Sequence, residues 1–277
     1  MRLMLGIDGG GTGCRAALTD ADGRVLGRGA GGPANISTDT AGASGNILAA
    51  TRAALAEAGT GVIEDLTAVL GLAGANVPQA AARLSASLPF ARHRVVPDSM
   101  TATIGALHGD DGIVAAIGTG SVFGVVRNGA FRSHGGHGFL LGDEGSGAVL
   151  GRALLSEALR ATDGFTPMTP LLQEVLDEHG GPAGVIAFGL TARPADFARY
   201  APQIVSGDDP AAERLFGAAL RQISAVIDSL QMQGQLPVVF VGGLAEACAT
   251  RLAGRWEIRA ARGTGLDGAL LLARQEG

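Results

Sequence analysis

The chain has 277 residues, more than one hydrophobic core usually holds, so two lobes are favoured over one large domain. With 47% hydrophobic and 17% charged residues it has ample apolar material to bury, which excludes intrinsic disorder and a disulfide-stapled miniprotein. The 21 basic and 26 acidic side chains leave a net charge of −5 with no basic cluster, which speaks against a nucleic-acid partner.

In chain order, the first thirty residues read as a three-stranded meander. Leu3 to Asp8 is an apolar strand, Gly9 to Gly13 a loop, Arg15 to Thr19 a second strand, and Asp20 to Gly23 a turn into Arg24 to Arg28. A dinucleotide-binding loop would open a helix at this point, and Cys14 stands where its third glycine belongs. The glycine-rich stretch Arg28 to Asn35 is expected to be mobile. A helix follows from about Ala43 to Ala58, with Ile47, Ala50, Ala54 and Ala58 on one stripe and Gly59 as its stop. Leu66 to Leu72 then reads as a strand, Pro78 to Leu88 as a helix, and His93 to Val96 as a strand ending at Pro97-Asp98. This alternation implies crossovers and a largely parallel inner sheet.

The opening pattern recurs about 110 residues on. Gly112 to Ile117 is a strand, Gly118 to Ser121 a loop, Val122 to Val126 a strand, Arg127 to Ala130 a turn, and Phe131 begins a third strand. We read this as an internal duplication. The remainder is mostly helical. Leu150, Leu154 and Ala158 share one face, a longer stripe runs from about Pro210 to Gln233, and Leu236 to Val241 is a buried strand before Gly242-Gly243. A last helix starts near Thr264 with Asp267 in a capping-box position. No linker separates the halves, so two closely apposed lobes with a cleft are expected: 1–108, completed by the helix 264–277, and 109–263. No apolar run approaches the roughly 18 residues of a membrane span, and the expectation is a soluble, cytoplasmic protein without a membrane partner.

Two compositional facts narrow the chemistry. Glycine is 45 of 277 residues, about 16% against a usual share of about 7%. All 21 basic residues are Arg, which excludes the P-loop lysine, a lysine Schiff base and the kinase strand lysine. Any phosphate must therefore be held by backbone N–H groups, arginine or a metal. Asp8-Gly9-Gly10-Gly11-Thr12-Gly13 sets a carboxylate at a strand end beside backbone that phosphate oxygens can approach, and Gly118-Thr119-Gly120-Ser121 repeats the arrangement with hydroxyls. Alone, either loop is equally a tight hairpin turn; as a duplicated pair they point to a triphosphate. Asp98 is either a helix N-cap or a general base at a strand end. Gly135 to Gly147 packs six glycines with His137, Asp143 and Glu144 just before a helix, more glycine than a cap requires. Cys14 and Cys248 form no Cys-x2-Cys pair and are expected to be reduced and buried.

Asp8 to Thr12, Gly32-Pro33-Ala34-Asn35, Asp98, Gly118 to Ser121, Gly142-Asp143-Glu144-Gly145-Ser146 and Gly242-Gly243-Leu244 together resemble the BadF/BadG/BcrA/BcrD-type ATPases, in their N-acetylglucosamine and glucosamine kinase branch. The resemblance spans nearly the whole chain. It implies a two-lobed α/β fold of the actin-like, ribonuclease H-like ATPase type, with duplicated five-stranded mixed sheets, flanking helices and a central cleft. It implies ATP and Mg2+, the metal meeting Asp8 through water. Gly9, Gly10, Gly11 and Thr12, then Gly118, Thr119, Gly120 and Ser121, become the phosphate loops, and Gly242, Gly243 and Leu244 lie near the adenosine. Asn35, Gly136, His137 and Asp143 would contact the sugar, and Asp98 would take the proton of its 6-hydroxyl. The expected protein is a hexosamine kinase, acting as a homodimer on a small sugar. The alternatives are an ATPase that activates a partner reductase or dehydratase, and a non-catalytic sugar sensor. In the sugar kinases Trp usually stands where His137 is, and Asn-Asp-Ala where Pro97-Asp98-Ser99 is.

Overall fold

The computed structural model describes residues 2–231 and 233–276. In chain order, the elements are β1 (Met4–Gly9), β2 (Cys14–Thr19), β3 (Val25–Gly31), α1 (Thr40–Ala58), β4 (Thr67–Leu72), α2 (Pro78–Ser87), β5 (Arg92–Pro97) and α3 (Asp98–Leu107). There follow β6 (Gly112–Ile117), β7 (Ser121–Arg127), β8 (Ala130–Gly135), α4 (Gly147–Thr162), α5 (Pro170–Glu178), α6 (Pro182–Thr191), α7 (Pro194–Ala198), α8 (Ala201–Ser206) and α9 (Pro210–Gln231). The chain ends with β9 (Val238–Val241), α10 (Ala245–Arg251), β10 (Ile258–Arg259) and α11 (Gly265–Gln275). The strands form two five-stranded mixed sheets, ordered β3-β2-β1-β4-β5 and β10-β9-β6-β7-β8, so the duplicated meander is real. Two compact units are present. One comprises Met1–Gly112, Gly124–Ser133 and Ala260–Gly277, the other Ile113–Phe123 and His134–Arg259. Among the described residues no helix is long and apolar enough to cross a membrane.

In the first sheet β1 is antiparallel to β2 and parallel to β4, which is parallel to β5. The registers align Gly9 with Leu72 and Leu72 with Pro97, so the three parallel strands finish level. The core beneath them, Leu5, Ile7, Leu18, Ile36, Ile47, Leu70, Leu72 and Leu84, is fully buried.

The glycine-rich stretch that composition marks as mobile is ordered: β3 continues to Gly31. Its reason lies in the packing of α1. A Cβ built on Gly27, Gly29 or Gly31 would fall 2.1, 2.0 or 2.4 Å from the carbonyl oxygens of Ala54, Ala50 and Asn46. Every second residue of a strand advances about 6.7 Å and every fourth of a helix about 6 Å, so glycines spaced by two meet helix residues spaced by four. The helix lies directly on the strand backbone, closer than any side chain permits. On the other side of the sheet α11 packs on α3, where added Cβ atoms at Gly105 and Gly268 would sit 1.8 Å from the Thr264 carbonyl oxygen and 1.9 Å from that of Thr101.

Replacing Gly29 by Ala forces backbone against backbone, which no rotamer change relieves. We expect a loss of at least about 1–3 kcal/mol in denaturant unfolding. Gly45 of α1 is exposed with nothing within 4 Å of a Cβ, so Gly45→Ala is expected to stabilise by about 0.5–1 kcal/mol. Equal effects at the two positions would refute the close-approach explanation.

Candidate active site

In the first unit the loops leaving the level strand ends are tied to one another by backbone hydrogen bonds. Ala34 N–H donates to Gly10 O (2.8 Å), Ala73 N–H to Gly9 O (2.9 Å) and Ile36 N–H to Ala73 O (3.0 Å). The glycine loop after β1, the Asn35 loop before α1 and the turn after β4 thus form one connected surface. Asn35 is fixed within it, its Oδ1 accepting from Ser37 N–H (3.1 Å) and Ser37 Oγ–H (2.8 Å). Among the described residues no protein group accepts from the amide NH2 of Asn35.

Asp8 lies near the end of β1, opposite Arg15 of β2 in register, and Arg15 Nη2 donates to Asp8 Oδ2 at 2.5 Å. The pair lines a pocket of about 370 Å³ with Gly10, Thr12 and Gly13. Arg15 is 61% exposed, so the ion pair contributes no more than about 1 kcal/mol and can be exchanged for another partner of either group. From the opposite side α11 begins against the same carboxylate: a Cβ on Gly265 would be 2.9 Å from Asp8 Oδ1. Neither Arg15 nor Gly265 was singled out from sequence. Arg15 is recognisable only from strand register, and Gly265 lies at the far end of the chain.

Asp98 follows β5 at the same end of the sheet. It is the first residue of α3, one position inside the cap, and its Oδ1 accepts from Ser99 N–H at 2.8 Å. Asp98 is open to solvent, yet the protein around its carboxylate partly desolvates it. This partial desolvation raises its pKa above the ordinary Asp value; the Ser99 N–H opposes the shift and the negative charge of Asp8 adds to it. A carboxylate that solvent can reach but whose charged form is disfavoured suits proton acceptance.

A second pocket of the same unit, about 340 Å³, opens beside Asn35 and takes in Gly11, Pro33, Thr38, Asp39 and Asn46. Asp39 is the N-cap of α1, with Oδ1 accepting from Gly42 N–H at 2.9 Å.

In the second unit, Gly147 N–H donates to Gly118 O (2.8 Å), Ala148 N–H to Thr119 O (3.1 Å) and Leu244 N–H to Ile117 O (3.0 Å). These bonds bring the loop after β6, the start of α4 and the Gly242-Gly243-Leu244 turn together. Ser121 Oγ–H donates to Glu144 O at 2.9 Å, and the carboxylate of Asp143 lies over Gly120, 2.8 Å from where a Cβ would be. Asp143 itself is nearly buried and held at φ 60°, a left-handed conformation maintained by the surrounding loop. The cap of α4 is Ser146, so Asp143 and Glu144 lie outside the helix. Gly136 N–H donates to Ser121 O at 3.1 Å. His137 has different surroundings: it is exposed and lines a largely apolar groove of about 990 Å³ with Phe139, Arg152 and Phe197.

Both cysteines are buried, Cys14 in β2 and Cys248 in α10, and burial raises both thiols, that of Cys248 to about 11. Among the described residues no three His, Cys, Asp or Glu side chains are placed to hold a metal by themselves.

The two mixed five-stranded sheets are shared with a ROK family glucokinase from Streptomyces griseus, which has the same fold (TM-score 0.58, 18% identity, 99% of this chain and 100% of that one). The chain belongs to the BadF/BadG/BcrA/BcrD ATPase family, whose model matches residues 5–273. It is 32% identical over 254 residues to the glucosamine kinase of Vibrio cholerae, covering 89% of this chain and 86% of that one. A crystal structure from Chromobacterium violaceum, provisionally assigned as an N-acetylglucosamine kinase, superposes with a TM-score of 0.85 at 36% identity over 99% of each chain.

Gly265→Ala should push the Asp8 carboxylate aside, and we expect at least a tenfold weaker binding of magnesium-ADP in calorimetry with little change in melting temperature. Undiminished binding would show that Asp8 has no part in holding the nucleotide.

Proposed function

We propose that this protein is an ATP-dependent kinase that phosphorylates the 6-hydroxyl of an amino sugar, glucosamine or N-acetylglucosamine, with Asp98 as general base. The observation that carries the reading is the level finish of β1, β4 and β5, which brings Asp8, the Asn35 loop and Asp98 to one end of one sheet. Ligands of such sheets bind outside the carboxyl ends of the strands. Membership of an ATPase family and likeness to a glucosamine kinase support both the nucleotide and the sugar.

In this reading the loops Gly9 to Thr12 and Gly118 to Ser121 bind phosphate oxygens through N–H groups other than those of Gly10 and Gly118, which already donate to Gly13 O and Gly120 O, and Gly242, Gly243 and Leu244 receive the adenosine. Asn35, Gly136, His137 and Asp143 orient the sugar. Asp98 accepts the proton of the attacking hydroxyl as the oxygen bonds to the γ-phosphorus, and the γ-phosphoryl group leaves ADP in line. The single carboxylate of Asp8 fits a magnesium ion that arrives with the nucleotide, since Mg2+ is commonly held by one or two carboxylates plus substrate phosphates. Its chemistry there is to neutralise charge on the transferred group. The partner-activating alternative needs thiolates open to a shared cluster, and both thiols are buried with raised pKa. A sensor has no use for an accessible carboxylate of raised pKa at the strand end.

Asp98→Asn should lower kcat by about 10²–10⁴-fold with the KM for ATP unchanged, read as ADP release with product mass. In the wild type the acid limb of the kcat/KM profile should lie above the ordinary Asp range, because Asp98 works deprotonated and its pKa is raised. Unaltered turnover in the variant would place the base elsewhere.

A further inference from the structure

We propose that a second copy of this chain docks, about a two-fold axis, on the face made by α6 and the Leu140-Leu141 turn. Nothing in this depends on the kinase reading. The whole face lies within the second unit.

The ten residues of α6, Pro182 to Thr191, include no charged side chain, and a helix that is apolar all round is ordinarily buried. Only one side of this one is. Val185 is buried, and the Phe188 ring packs on those of His179 and Phe197 at centroid distances of 4.7 and 5.5 Å. The opposite side carries Ala183, Ile186, Ala187 and Leu190, which is the i, i+3, i+4, i+7 stripe of a packed helix face, and all four are exposed.

The groove joins this helix to the Leu140-Leu141 turn: Leu140, Leu141, Ile186 and Gly189 all line its cavity of about 990 Å³. Gly138 O accepts from Leu141 N–H at 3.2 Å and from Gly142 N–H at 2.8 Å. Phe139 is stacked on Phe197, with the Arg152 guanidinium 4.8 Å from its ring centre. The turn is thus fixed from within while its two leucines project to solvent.

Area and shape name the occupant. Exposed at 85, 85, 54 and 81%, Leu140, Leu141, Ile186 and Leu190 leave on the order of 500 Å² of largely apolar surface, toward the top of the range for the biggest patch on a monomer. Two copies of it with their rims come to roughly 1,200 Å² or more, where specific, stable interfaces begin. A two-fold contact requires one patch to fit itself, and this one carries projecting leucines and an apolar groove side by side. Charge agrees. Two arginines, Arg152 and Arg193, line the groove, and neither the leucines nor the α6 of a second copy brings a cation against them.

Sedimentation of the full chain over the micromolar range, without nucleotide or sugar, tests this. Wild-type protein should have the mass of two chains. Ile186→Glu with Leu190→Glu sets like charges of both copies on one apolar face and should weaken association at least tenfold; Leu140→Ser with Leu141→Ser should also weaken it. These side chains are exposed in the single chain, so far-ultraviolet circular dichroism should be unchanged in both double variants. Val62→Glu makes the same kind of change at an exposed apolar residue of the first unit and should leave the dimer intact. A wild type that is monomeric throughout, open-ended association instead of a dimer, a dimer that survives either double variant, or one that Val62→Glu weakens equally overturns the proposal. None of these outcomes bears on the kinase reading, which ADP release with each sugar tests separately.

Discussion

Everything at the candidate site depends on three parallel strands of the first sheet ending in the same register. Gly9, Leu72 and Pro97 are neighbours across β1, β4 and β5, so the chain leaves all three strands at one edge. Backbone leaving a buried strand must still satisfy its polar groups, and here the loops satisfy one another, Gly10 with Ala34, Gly9 with Ala73, and Ala73 with Ile36. The Asn35 loop is consequently held by the same atoms that shape the glycine loop. Asp8 is on β1 and Asp98 directly follows β5, two strands away, and strands so placed lie roughly 10 Å apart at the usual spacing. Such a site is preorganised by main chain, which costs no side-chain entropy when a ligand arrives.

The two carboxylates illustrate how position sets role. Asp8 has a guanidinium within hydrogen-bond distance and an incoming helix beside it, so its charge is offset before any ligand binds. Asp98 has one N–H and the repulsion of Asp8, and protein crowding shifts it toward the neutral form. Of the two, Asp98 is the group whose neutral form the surroundings favour. The absence of lysine fits this division. The cation beside the glycine loop after β1 is Arg15, shared with the Asp8 carboxylate, and a guanidinium keeps its proton.

Much of this was legible in the sequence, and the failures have physical causes. The two meanders, the helix stop at Gly59 and the capping box of Thr264 with Asp267 are local signals, and the structure has all of them. The stretch Arg28 to Asn35 is ordered where its composition suggests mobility, because the spacing of its glycines, not their number, decides its structure. Glycine at 27, 29 and 31 is a period of two, the mark of a strand face that admits a helix backbone rather than of a mobile loop. Asp98 kept both its readings in sequence, since a strand-end base and a first-turn acid occupy the same place; its accessibility and raised pKa are properties of the folded surroundings. Helices α5 to α8 left little trace because each is short and opens on or just before a proline, with too few turns for a 3.6-residue period to show.

What stayed hidden is long-range. Arg15 matters through its cross-strand partner, Gly265 through a contact with a residue near the other end of the chain, and Asp39 and Asn46 through a shared cavity wall. None of these relations leaves a spacing pattern, because each depends on how elements meet rather than on how residues follow one another. This separates the two questions put to such a chain. Glycine loops at strand ends are contiguous in sequence and can be read early. A cavity wall is assembled differently: the Asn35 loop, the cap of α1 and its next turn become neighbours only after α1 has settled on the glycine face of β3. The same glycines that let the helix approach therefore position that wall.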